Sequence, residues 1–95
     1  MFTNALMIKL KDCSPECLEA AQTLLLSMRG EIEYLADIAV NADTRRGEKS
    51  YDLLMLAKYN STEDFKAYVS HPFHVEVGTK INALSEHIAS VFYGE

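Results

Sequence analysis

Two hydrophobic rhythms run through the chain, one of period two and one of period three to four. Residues 4–11 (NALMIKLK) set Asn4, Leu6, Ile8 and Leu10 on one side and Ala5, Met7, Lys9 and Lys11 on the other, the repeat of a β-strand. Ser14-Pro15-Glu16 then open a helix. The serine hydroxyl can accept from free backbone N–H groups, proline suits the first helical position, and the glutamate faces the positive end of the dipole. Leu18, Ala21, Leu25 and Met28 follow at helical spacing, and Gly30 offers a left-handed stop. A second strand is read over 34–41, where Tyr34, Ala36, Ile38 and Val40 alternate with Leu35, Asp37, Ala39 and Asn41. The polar stretch from Asn41 to Ser50 (NADTRRGEKS) holds Gly47 and reads as a loop or an extended hairpin connection.

The third strand, Tyr51 to Tyr59 (YDLLMLAKY), breaks the alternation. Leu53, Leu54, Met55, Leu56 and Ala57 are continuously apolar, so both faces of this strand need cover. The helices of such a chain can cover one face of a four-stranded antiparallel sheet. A second sheet from an identical subunit is the economical cover for the other, since a bare face would leave a large apolar patch in water.

Ser61-Thr62-Glu63-Asp64 has the form of a capping box and starts a short helix bearing Phe65, Tyr68 and Val69. His71-Pro72 breaks it, because a residue before proline is pushed out of helical geometry. A further helix carries His74, Val77, Ile81 and Leu84 on one stripe, with Gly78 inside it, and the last strand spans about 86–93. The order is βαββαβ with a broken second helix. That is an α+β, ferredoxin-like unit, expected to pair sheet against sheet as a dimeric α/β barrel. The chain reads as a single domain over 1–95.

Composition narrows the function. The chain is 48% hydrophobic, which is globular rather than disordered. Its net charge is −5, which repels phosphate backbones and argues against nucleic acid. No apolar run nears the roughly 20 residues of a bilayer span, and the start, MFTNALMIKLKD, lacks the marks of a secretory leader. The cytoplasm is the expected location, with no membrane partner. Cys13 and Cys17 lie four apart, which is not redox spacing, and both are expected to be free thiols there. The helix dipole favours a thiolate at Cys17. Arg45, Arg46 and Lys49 form a basic cluster, read as a solvated loop with an anion clamp as the second reading.

The densest polar cluster is Tyr68-Val69-Ser70-His71-Pro72-Phe73-His74. Histidine can act as general base or acid, and tyrosine can donate to a carbonyl or enolate oxygen. Tyr68 ends one helix and His74 begins the next, so the two are expected on opposite sides of a cavity between helices and sheet. The structural alternative is plain: His74 as a hydrogen-bonded core residue, His71 as a corner holder, Tyr68 as core. A metal site from His71 and His74 with His87 or Glu76 is the least supported reading, because no spacing demands a third ligand. No metal and no cofactor are called for.

Three pieces of the chain carry a family resemblance: Lys9-Leu10-Lys11-Asp12, Ser50-Tyr51-Asp52-Leu53, and above all Tyr68-Val69-Ser70-His71-Pro72-Phe73-His74. The last is similar to the Tyr-x-x-His-Pro-x-His signature of stress-responsive A/B barrel (Dabb) domains. The resemblance covers nearly the whole chain and implies the same ferredoxin-like protomer and homodimer. That family includes a plant polyketide cyclase. The resemblance implies His74 as general base, Tyr68 as its assistant, and a ligand contact at Asn4, where the cyclase has a second histidine. Asparagine can hydrogen-bond a substrate oxygen but does not exchange a proton as histidine does.

Three expectations of function follow. One is a pocket for a small, partly apolar carbonyl or aromatic ligand, with proton transfer by His74 aided by Tyr68, and with Asn4 and His71 as ligand-binding residues. The second is a non-enzymatic dimeric domain for assembly or sequestration. The third is cofactor-free monooxygenase chemistry, borrowed from dimeric α/β barrels in general.

Overall fold

Strand β1 (Phe2–Leu10) organises the sheet, pairing antiparallel with β3 (Leu53–Tyr59) on one side and β4 (Ser85–Gly94) on the other. Strand β2 (Asp37–Ala42) adds at the far edge of β3, giving the order β2-β3-β1-β4. The structure is a computed structural model and describes residues 1–94. Helices α1 (Pro15–Leu26), α2 (Thr62–Ser70) and α3 (Pro72–Leu84) complete the element order βαββααβ. This is the ferredoxin-like βαββαβ fold with its second helix divided at His71-Pro72.

The sheet has two unlike faces. Leu53, Met55, Ala57 and Tyr59 alternate inward and are buried beneath the helices with Ile8, Leu10 and Ile38. Leu54 and Leu56 point to the other face, half-buried, beside Ala5 and Ala39. Met7 and Val91 on that same face are 42% and 62% exposed. The continuous apolar run of β3 thus serves two surfaces, and in one chain only one of them is covered.

The helix starts follow the capping chemistry. The Cys17 N–H donates to the Ser14 hydroxyl at 3.3 Å, and the Asp64 N–H donates to the Ser61 hydroxyl at 3.1 Å. Helix α1 ends at Leu26, earlier than its apolar stripe. Residues 27–30 continue as turns, and Gly30 closes them at φ +79°. Strand β2 starts at Asp37, three residues later than the alternation suggests. The Leu35 N–H bonds the Ile32 carbonyl in a turn, which takes Tyr34 out of the ladder.

Where β1 bulges at Lys9/Leu10, a buried side chain replaces the ladder. The Asp52 carboxylate, 3% exposed, accepts from the Leu10 N–H at 2.8 Å, while the Asp52 N–H donates to the Ile8 carbonyl at 2.8 Å.

Candidate functional site

The site begins at a one-residue corner. His71 is extended (φ −64°, ψ 132°), as a residue before proline must be, and it ends α2 and caps α3 at once. Its N–H donates to the Tyr68 carbonyl at 3.1 Å, and its Nδ1 accepts from the Phe73 N–H at 3.1 Å. Nδ1 therefore carries the lone pair, and the neutral ring holds its proton on Nε2. His71 is the corner holder of the structural alternative.

Because the corner is so short, α3 folds straight back and sets His74 against Tyr68. Their ring centroids lie 4.3 Å apart, tilted by 45°. They are neighbours, not opposite walls as the chain order suggested. His74 Nδ1 lies 3.0 Å from the Val69 carbonyl oxygen. A carbonyl only accepts, so Nδ1–H is the donor and the neutral ring leaves Nε2 with its lone pair free. Nε2 has no hydrogen-bond partner among the described residues.

His74 and Tyr68 border one pocket of about 240 Å³ between α1, α3 and the sheet. Leu6, Met28, Met55 and Ile88 give it apolar walls. Gly78 and Asn82 also line it. They sit four and eight residues beyond His74, on one edge of α3. The apolar stripe of His74, Val77, Ile81 and Leu84 reaches the pocket too, through His74, Val77 and Ile81, but does not mark Gly78 and Asn82, whose only signal in the sequence is their i, i+4, i+8 spacing from His74. A Cβ at Gly78 would meet nothing within 4 Å, so no crowding explains the glycine.

Tyr68 is 2% exposed, and its hydroxyl donates to the Met28 thioether at 3.6 Å, a weak acceptor. Burial pushes its phenol above the usual value, while Tyr59 pulls it back somewhat. Tyr68 is therefore a proton-bearing donor, not a base, at neutral pH.

Two other expected site residues lie elsewhere. Asn4 shares the helix-side face of β1, between Ala57 and Phe92, and does not line this pocket; nor does His71. His87 lies on the opposite face of the sheet, across from Lys9 and beside Tyr51. That separates it from the other two histidines, and no group of three potential metal ligands gathers among the described residues.

Two further sequence expectations are corrected. Cys17 is pushed up, not down: partial burial acts first, then the carboxylates of Asp12 and Asp52 and the neighbouring Cys13. Arg46 is not available to an anion clamp with Arg45 and Lys49. Its guanidinium donates to the Cys13 carbonyl at 2.6 Å and lies 3.8 Å from Asp52, and its N–H donates to Asp43 at 2.6 Å. No helix among the described residues is long and apolar enough to cross a membrane.

Fold and pocket together define a ferredoxin-like α+β protein with an oriented histidine and a buried phenol on an apolar cavity. The family model of the stress responsive A/B barrel (Dabb) domain matches residues 4–93, and the chain belongs to that family. Comparison with curated proteins finds no match. Among solved structures, the chain is similar to a dimeric ferredoxin-like protein of unknown function from Bacteroides fragilis, with TM-score 0.82, 21% identity, and coverage of 99% of this chain and 95% of that one. It is also similar to a hydroxynitrile lyase from Passiflora edulis (TM-score 0.84, 11% identity, 97% and 90% covered). A third likeness is to a mutant of SnoaB, a cofactor-independent oxygenase from Streptomyces nogalater (TM-score 0.77, 12% identity, 99% and 91% covered). At these identities the likeness shows the fold alone.

Proposed function

We propose that the chain acts as a homodimer whose protomers each bind a small, partly apolar carbonyl or aromatic compound in the pocket beside α3. His74 is the proton acceptor and Tyr68 the hydrogen-bond donor. In this scheme His74 Nε2 takes a proton from the carbon next to the ligand's carbonyl. The electron pair moves onto the carbonyl oxygen, Tyr68 steadies the resulting enolate, and the proton returns to carbon in the product. The scheme needs no cofactor.

One observation carries this reading. The Val69 carbonyl holds His74 by Nδ1, which fixes the tautomer and leaves the basic nitrogen for a ligand. The pocket's apolar walls favour a ligand with a hydrocarbon part. The dimer is supported by the uncovered sheet face of Ala5, Met7, Ala39, Leu54, Leu56 and Val91, and by a structural neighbour described as dimeric. The reading places the protein in a reducing cytoplasm as one Dabb-like domain, with Cys13 and Cys17 as thiols.

The test is exchange of solvent deuterium into the methyl group of acetophenone, followed by NMR. The wild type is expected to accelerate exchange and His74→Ala to lose the acceleration. Equal exchange with both proteins would remove His74 from the chemistry. A second reading, binding without turnover, is favoured by the position of Asn4 away from the pocket wall. Saturable binding of acetophenone with no accelerated exchange would select it.

A further inference from the structure

The scheme above leaves one buried hydroxyl unused. Tyr59 ends β3 on the helix side with 0% exposure, and its O–H has no hydrogen-bond partner among the described residues. Its ring packs edge-on against Phe65 at 5.1 Å and lies 5.0 Å from the ring of Tyr68, tilted by 56°. A phenylalanine would fill that space equally well. An orphaned buried hydroxyl is costly, and one in a native core calls for a reason.

The reason lies in its neighbour. Tyr68 spends its own proton on the Met28 sulfur, so the lone pairs of its oxygen are open to a donor. The Tyr59 ring packs against the Tyr68 ring, which makes its unpaired hydroxyl the candidate donor, and Tyr59 does not line the pocket. We propose that Tyr59 is a positioning residue for Tyr68: when Tyr68 turns its proton from Met28 to a ligand's oxygen, the Tyr59 hydroxyl donates to the Tyr68 oxygen. The result is a two-step chain, Tyr59 to Tyr68 to ligand, in which each hydrogen bond polarises the next. Such a chain favours a ligand whose oxygen is anionic or becomes so, an enolate or a phenolate, over a neutral carbonyl. Burial raises both phenols above the ordinary tyrosine value, so both keep their protons for donation at neutral pH.

This inference rests on the proposed ligand pocket, so its test separates the two. The probe is 4-nitrophenol at a pH where it is the phenolate, titrated into the wild type, Tyr59→Phe, Tyr68→Phe and the double variant. Tyr59→Phe deletes only an unpaired oxygen, and its thermal midpoint is expected to equal or exceed that of the wild type. It is expected to bind the probe about tenfold more weakly than the wild type. In the Tyr68→Phe background the same change is expected to have no effect, because the chain is already cut. Equal weakening in both backgrounds, or none in either, overturns the relay and leaves the pocket reading standing. Absence of saturable binding to the wild type overturns the pocket reading for this ligand class and the relay with it.

Discussion

His74 Nδ1 and the Val69 carbonyl oxygen, five residues apart in the chain, meet at 3.0 Å across the Pro72 corner. The arrangement predicts opposite tautomers for two histidines three residues apart. Neutral His74 carries its proton on Nδ1, and neutral His71, whose Nδ1 accepts from Phe73, carries it on Nε2. Long-range 1H–15N correlation on labelled protein above neutral pH reads this directly. The same tautomer on both rings would contradict the corner as described.

His71 is expected to matter for stability more than for chemistry. His71→Ala removes the acceptor of the Phe73 N–H and should cost about 1 kcal/mol, the usual worth of an N-cap. His71→Asn restores a side-chain acceptor at the same position and should recover most of it. Urea denaturation at neutral pH measures both.

Much of this corner was legible in the sequence, and the reasons are local. A residue before proline leaves helical space whatever surrounds it, so the break at His71 followed from Pro72 alone. The serine caps at Ser14 and Ser61 are equally local. The run from Leu53 to Ala57 announced two apolar faces because side-chain direction in a strand has period two. Distant contacts were not legible. The turn at Leu35 that shortens β2 depends on backbone geometry that alternation does not encode. Nothing near Tyr59 in the chain indicates Tyr68, and the capture of Arg46 by Asp52 and the Cys13 carbonyl joins three segments. The pocket edge of Gly78 and Asn82 was hidden by a stronger signal, the apolar stripe beside it.

Asp52 should prove the least replaceable carboxylate. Asp52→Ala leaves the buried Leu10 N–H without an acceptor at the β1 bulge, a loss of about 1–3 kcal/mol. Asp52→Asn keeps a carbonyl oxygen in place and should cost less. Chemical denaturation ranks them wild type, Asn, Ala. Equal stability of Asn and Ala variants would show that the charge near Arg46, not the Leu10 bond, is what the site needs.

The uncovered sheet face predicts an assembly. Leu56 lies near its middle, paired across to Ala5 and Ala39. If a second copy covers this face, Leu56→Asp places an unpaired carboxylate in the contact, at a cost of several kcal/mol, while leaving the helix-side core untouched. Sedimentation equilibrium at micromolar concentration should show a dimer for the wild type and a folded monomer for the variant. A folded wild-type monomer would remove the barrel.

The two buried tyrosines should make the fold less stable at alkaline pH. Both phenols are pushed above the ordinary value of 10.0, by burial first. Below pH 10 each is protonated in both folded and unfolded chains, so neither contributes any pH dependence. Above it the unfolded chain releases those protons and the folded chain holds them. The unfolded state then binds fewer protons, and stability falls as pH rises. Each tyrosine adds a slope of up to ~1.4 kcal/mol per pH unit in that range. Tyr59→Phe removes one of the two ionisations, so its base-induced unfolding should begin at higher pH and rise less steeply than that of the wild type. Circular dichroism from pH 9 upward follows it, and superimposable alkaline transitions for the two proteins would mean that Tyr59 ionises as freely in the folded chain as in the unfolded one.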